Sequence, residues 1–79
     1  MRSLKIVQND DVIELRCPKC DVVLALKVRG VKGYYFVGVC RHYNIRYLTL
    51  VEYMKLALER KVVLAEHLDG IFRAIVSKK

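Results

Sequence analysis

Four residues of this chain bring metal-ligand chemistry to close spacing. Cys17 and Cys20 flank Pro18-Lys19, and after nineteen further residues Cys40 and His42 flank Arg41. All three cysteines of the protein and one of its two histidines lie in this stretch. Thiolate and imidazole are the ligands that close a tetrahedron around structural Zn2+, a d10 ion with no geometric preference of its own. In Cys17-Pro18-Lys19-Cys20 the tight turn, helped by the fixed φ of Pro18, aims both sulfurs the same way. Cys40-Arg41-His42 has one spacer residue fewer, and the longer reach of an imidazole compensates. Cys17, Cys20, Cys40 and His42 are therefore the expected ligands of one zinc ion. His67 is the alternative fourth ligand if the C-terminal helix folds back over the site.

Other uses of the cysteines fit less well. Isolated buried thiols are common, but not in CPxC spacing. A redox CxxC needs a βαβ setting, whereas this one is flanked by strand patterns. Catalysis finds little support: no nucleophile is paired with a base, no carboxylate pair lies near the ligands, and no glycine-rich phosphate loop is present. Four protein ligands would leave zinc no open position for water. The expectation is a protein that is not an enzyme.

Seventy-nine residues make one small domain, and at that length an apolar core alone is marginal, so a metal or a partner chain is a common supplement. An odd number of cysteines and an opening MRSLKIV without an apolar signal stretch lead to the expectation of a reducing, cytoplasmic setting. No apolar run approaches the ~18 residues of a membrane span. The formal charge is +7, and from Val22 to Val51 there is no acidic residue. That window holds Lys27, Arg29, Lys32, Arg41 and Arg46, a charge pattern that attracts polyanions, of which nucleic acid is the commonest. Tyr34, Tyr35, Phe36, Tyr43 and Tyr47 are interleaved with these cations. Tyr35 and Tyr43 are the candidate base-stacking rings, while Phe36 and one of the adjacent tyrosines are expected to pack inward.

The elements that must position these residues follow from periodicity. A first hairpin runs from Leu4 to Val7, turns at Gln8-Asn9-Asp10-Asp11, and returns along Val12 to Arg16 with Ile13 and Leu15 inward. A second begins at Val22, turns at Gly30-Val31-Lys32-Gly33, where positive φ is expected, and leads from Tyr34 to Val39 into Cys40. Gly38 marks a close backbone approach or a bulge. Asn44 to Leu48 adds a short strand. Beyond it, Thr49 and Glu52 form a capping box, and Val51, Met54, Leu58, Val62, Ala65, Leu68, Phe72 and Ile75 recur at helical steps. The predicted fold class is thus small α+β: a zinc ribbon of antiparallel hairpins with two zinc knuckles over residues 1–48, followed by a long C-terminal α-helix over residues 49–79. That helix is too apolar for a ribbon to cover, so either it bends at Asp69-Gly70 or, the favoured reading, it packs in a homodimer.

At Cys17-Pro18-Lys19-Cys20 and Cys40-Arg41-His42, residues 12–48 resemble the zinc-ribbon superfamily of transcription elongation factors, small RNA polymerase subunits, initiation factors and ribosomal proteins. Its second knuckle is usually CxxC rather than CxH. Elongation-factor ribbons carry an acidic pair at the hairpin tip, where this chain reads Arg29-Gly30-Val31-Lys32-Gly33, so that activity is not implied. The resemblance fits a DNA- or RNA-associated regulator, and the acid-free window with its interleaved rings gives Lys27, Arg29, Lys32, Tyr35, Arg41, Tyr43 and Arg46 as the expected nucleic-acid contacts. The rival expectation is an interaction subunit whose apolar helix docks on a larger assembly such as RNA polymerase.

Overall fold

The computed structural model describes residues 4–78. They form seven strands and one short helix, in the order β1 (Lys5–Asn9), β2 (Val12–Arg16), β3 (Val23–Val28), β4 (Tyr35–Phe36), β5 (Tyr43–Leu48), α1 (Leu50–Leu58), β6 (Val62–Leu68) and β7 (Ile71–Ser77). The strands make two antiparallel sheets, β1-β2-β3-β4 and β5-β7-β6. The first hairpin is the expected one, with Asn9 opposite Val12 across an Asp10-Asp11 turn in which Asp10 takes φ 51°. Gly38 is the expected close approach, since a Cβ there would lie 2.7 Å from the Val23 carbonyl oxygen.

The two sheets face each other across the main core. Leu15, Cys17, Leu24 and Ala25 from the first sheet meet Tyr43 and Ile75 from the second, all buried. Strand alternation sends the other face of the second sheet, Leu48, Ala74 and Val76, toward α1, where Tyr53 and Leu56 cover it. Tyr53 stacks on Phe72 with ring centroids 4.2 Å apart. A register shift between Val62 and Leu64 places both Val63 and Leu64 against the inter-sheet core, the usual effect of a β-bulge.

The long C-terminal helix does not form, and this corrects the predicted fold class. The capping box does start a helix: the Glu52 N–H donates to Thr49 Oγ1, and the Thr49 N–H donates to Glu52 Oε1. Nine residues later it stops. Arg60 takes the left-handed φ of 61°, its N–H donates to the Ala57 carbonyl, and the Lys61 N–H donates to the Leu56 carbonyl. Those two bonds are a Schellman motif, usually signalled by glycine at the position Arg60 occupies. Residues 62–77 then form a hairpin around Asp69-Gly70, whose φ values of 41° and 90° suit a two-residue primed turn, not a bend between helices. Density in β-branched residues, Val62, Val63, Ile71, Ile75 and Val76, favours strand here.

A polar clasp joins the sheets at the β3–β4 turn. Glu66 of β6 accepts from the Tyr34 backbone N–H and, at 2.9 Å, from Arg73 of β7. The Arg73 guanidinium lies 4.6 Å from the centre of the Phe36 ring, a cation–π contact across the interface. Gly33, at φ 82°, leaves room for the carboxylate, because a Cβ there would lie 2.6 Å from Glu66 Oε2.

The helix stop gives a direct test. Arg60→Gly removes a left-handed penalty and is expected to stabilise the fold by about 0.5–1 kcal/mol. A thermal melt should rise by about 2–8 °C. An unchanged or lower midpoint would mean that Arg60 is not strained.

Candidate metal centre

Two turns build the centre. The first lies between β2 and β3, where the Asp21 N–H donates to the Cys17 carbonyl and the Cys17 N–H donates to the Val22 carbonyl, both at 2.9 Å. Asp21 adopts φ 67°, which lets the chain turn back after Cys20. Its carboxylate is held from outside by Lys5 of β1 at 3.2 Å and Arg16 of β2 at 3.1 Å, while Arg16 also pairs with Glu14. Lys5 first, then Arg16, keep the Asp21 carboxyl below the usual carboxylate range against partial burial. The second turn links β4 to β5, with the Cys40 N–H donating to the Tyr43 carbonyl and the Lys78 N–H to the His42 carbonyl.

These turns bring the ligand atoms of Cys17, Cys20, Cys40 and His42 within 4.8 Å of one another. On a tetrahedral zinc, sulfur and nitrogen ligands stand about 3.5 Å apart. Cys17 Sγ and His42 Nδ1 are 3.6 Å apart. Backbone donors support the sulfurs, among them the Lys19 N–H toward Cys17 Sγ (3.4 Å) and the His42 N–H toward Cys40 Sγ (3.3 Å). Burial grades across the cluster, from fully buried Cys17 through half-buried Cys40 and His42 to exposed Cys20, so it sits at the mouth of the inter-sheet core.

The thiols perturb one another. Burial pushes the Cys17 thiol up, but the N–H groups of Lys19 and Cys20 and the thiols of Cys20 and Cys40 outweigh it, and the net shift is downward. For Cys20 the Val22 N–H acts downward, yet partial burial and the neighbouring Cys17 and Cys40 carry the net shift upward. Three thiols in one such space ionise together only with a cation between them.

His67 does not reach this centre. It lies exposed on β6 with its ring against Phe72, the centroids 4.8 Å apart. The expected nucleic-acid contacts are dispersed. Lys27 is half-buried and its Nζ donates to the Val31 carbonyl. Arg29 faces Asp11 at 3.5 Å, since the first hairpin turn lies beside the tip of β3. The acid-free window of the sequence is therefore not acid-free in space. Lys32 and Tyr35 are exposed at the rim of a cavity of about 550 Å3 that also contains Glu66 and Arg73. Arg41 is exposed in the second turn and has no ion pair among the described residues. Arg46 lies on the second sheet. Tyr43 is buried in the inter-sheet core at 1 % exposure, which withdraws it as a stacking ring.

Cobalt titration checks the ligand set, because Co2+ in a thiolate-rich tetrahedral site gives intense visible bands. Cys17→Ser, Cys20→Ser, Cys40→Ser and His42→Ala should each weaken binding by more than the roughly 10–100-fold typical of outer-shell changes, with His67→Ala neutral. An unaltered spectrum and affinity in His42→Ala would remove His42 from the set. No protein-family model, curated protein or solved structure matches this chain, so the centre is defined by its own residues alone.

Proposed function

We propose that the chain is a structural zinc domain of the zinc-ribbon kind that binds nucleic acid through its cationic surface, as a DNA- or RNA-associated regulator. The observation that carries the zinc reading is the convergence of three thiols and one imidazole within 4.8 Å at the open end of the core. A sulfur-rich, four-donor set suits Zn2+, and a sphere closed by protein ligands serves structure, not hydrolysis. Support for the nucleic-acid reading comes from charge. Three zinc-bound thiolates lower the formal +7 by one, leaving the chain strongly basic. Lys32, Arg41 and Lys78 have no ion pair among the described residues.

A second reading has its own observation. The outer face of α1 exposes Leu50, Val51, Met54 and Leu58, each by more than half. An apolar helix face of this kind suits docking on another protein, whether a second copy or a larger assembly such as RNA polymerase. The homodimer through a long helix has lost its basis, and these four side chains are what remains of it.

Binding to duplex DNA and to single-stranded RNA, measured by anisotropy at rising salt, separates the readings. Three neutralised phosphates predict a log–log salt slope of about −2.7 on duplex DNA. Affinity at low salt no tighter than that of an unrelated protein of equal charge would reject the nucleic-acid reading. A sedimenting dimer that Met54→Glu converts to monomer would favour docking instead.

A further inference from the structure

The second sheet holds a feature that neither the metal nor the hairpin tip uses. Three strands contribute to it: Asn44 and Arg46 from β5, Lys61 just before β6, and Ser77 and Lys78 at the end of β7. The strands converge because β7 lies between the other two, with Asn44 opposite Val76 and the Ser77 N–H donating to the Lys61 carbonyl at 2.8 Å. These five residues line an open cavity of about 230 Å3 together with Leu56 of α1 and Val76, which supply its apolar wall.

We propose that this cavity is a binding site for a phosphate group, carried by a free phosphate or phosphomonoester or by a nucleic-acid backbone. Three cations line it and no carboxylate does. Two carboxylates stand near the cations without lining the cavity, Glu52 within the field of Arg46 and Glu59 beside Lys61. Glu52 closes the capping box with Thr49, and Glu59 meets Lys61 at 3.4 Å in a solvent-exposed pair, the kind that contributes little. Like charges around one cavity repel one another, and an oxyanion between them relieves that repulsion. An apolar wall lowers the local dielectric and strengthens the attraction.

Size and donor type narrow the ligand. The cavity is smaller than the roughly 300 Å3 at which pockets for whole small molecules begin. It admits a phosphate while leaving a base or sugar outside. Arg46 offers a planar fork matched to two phosphate oxygens, and Lys61 and Lys78 are point charges for the others. The lining supports this site independently of any nucleic-acid contact at the hairpin tip.

The test is an NMR titration of the zinc-loaded chain with inorganic phosphate, against chloride at matched ionic strength. Saturable amide shifts confined to Asn44, Arg46, Lys61, Ser77 and Lys78 are expected. The Arg46→Ala/Lys61→Ala variant should lose saturation while keeping a dispersed spectrum, and Lys61→Arg should retain it. Shifts that never saturate, that match those in chloride, or that persist in the double variant overturn the site. Should the double variant unfold, Lys78→Ala serves instead, and undiminished phosphate affinity there overturns it equally. A second arm identifies the source. A single-stranded oligonucleotide that binds the double variant at least about tenfold more weakly places a backbone phosphate in the cavity. Equal oligonucleotide affinity, with phosphate saturation lost, assigns the cavity to free phosphate esters.

Discussion

Three thiols and one imidazole converge at the end of the core where the chain crosses from one sheet to the other. Cys17 and Cys20 sit in the β2–β3 turn of the first sheet, and Cys40 and His42 in the segment that leaves it for the second. An ion held by these four would tie the turn to the crossover and cap the core around Leu24, Ala25, Tyr43 and Ile75. The other end is fastened without metal, by Glu66 reaching Tyr34 while Arg73 covers Phe36. The apolar core between them is thin. The accessible surface of 5479 Å2 exceeds the roughly 4,900 Å2 typical of a 9.2 kDa monomer, so less of the chain is withdrawn from water than its size allows.

The same architecture redistributes charge. The β1–β2 turn carries Asp10 and Asp11 to the tip of β3, where they line a small cavity with Lys27 and Arg29. On the second sheet Arg46, Lys61 and Lys78 line a cavity that no carboxylate lines, although Glu59 meets Lys61 at its edge. Long-range attraction of polyanions follows the net charge, but the seat of a bound phosphate follows this local arrangement.

The clustering of Cys17, Cys20, Cys40 and His42 was legible because its information is local: CxxC and CxH each close within one turn, and a strand spacer brings the turns together. The β1–β2 hairpin, the capping box and the Gly38 approach were legible for the same reason. The second half was misread where one pattern served two periods. Apolar residues at 62, 65, 68, 72 and 75 satisfy helical steps, yet Phe72, Ala74 and Val76 alternate with Arg73 and Ile75 as a strand between two layers. Asp69-Gly70 was the decisive local signal, and the stop at Arg60 was hidden by the absence of glycine. Lys61 and Lys78 were missed because they join Arg46 only through the strand order β5-β7-β6, which no local spacing encodes.

The central claim is that one ion holds the crossover end of the core closed. Amide hydrogen exchange of the fully reduced chain, compared with stoichiometric zinc and after exhaustive chelation, addresses it at the residues concerned. Structural zinc contributes binding energy of the order of 10 kcal/mol, comparable to the whole stability of a small domain. Protection at Leu15, Leu24, Ala25 and Ile75 should therefore collapse when the metal leaves and return when zinc is restored. Equal protection in both states, with no metal found in the purified protein, would contradict the account.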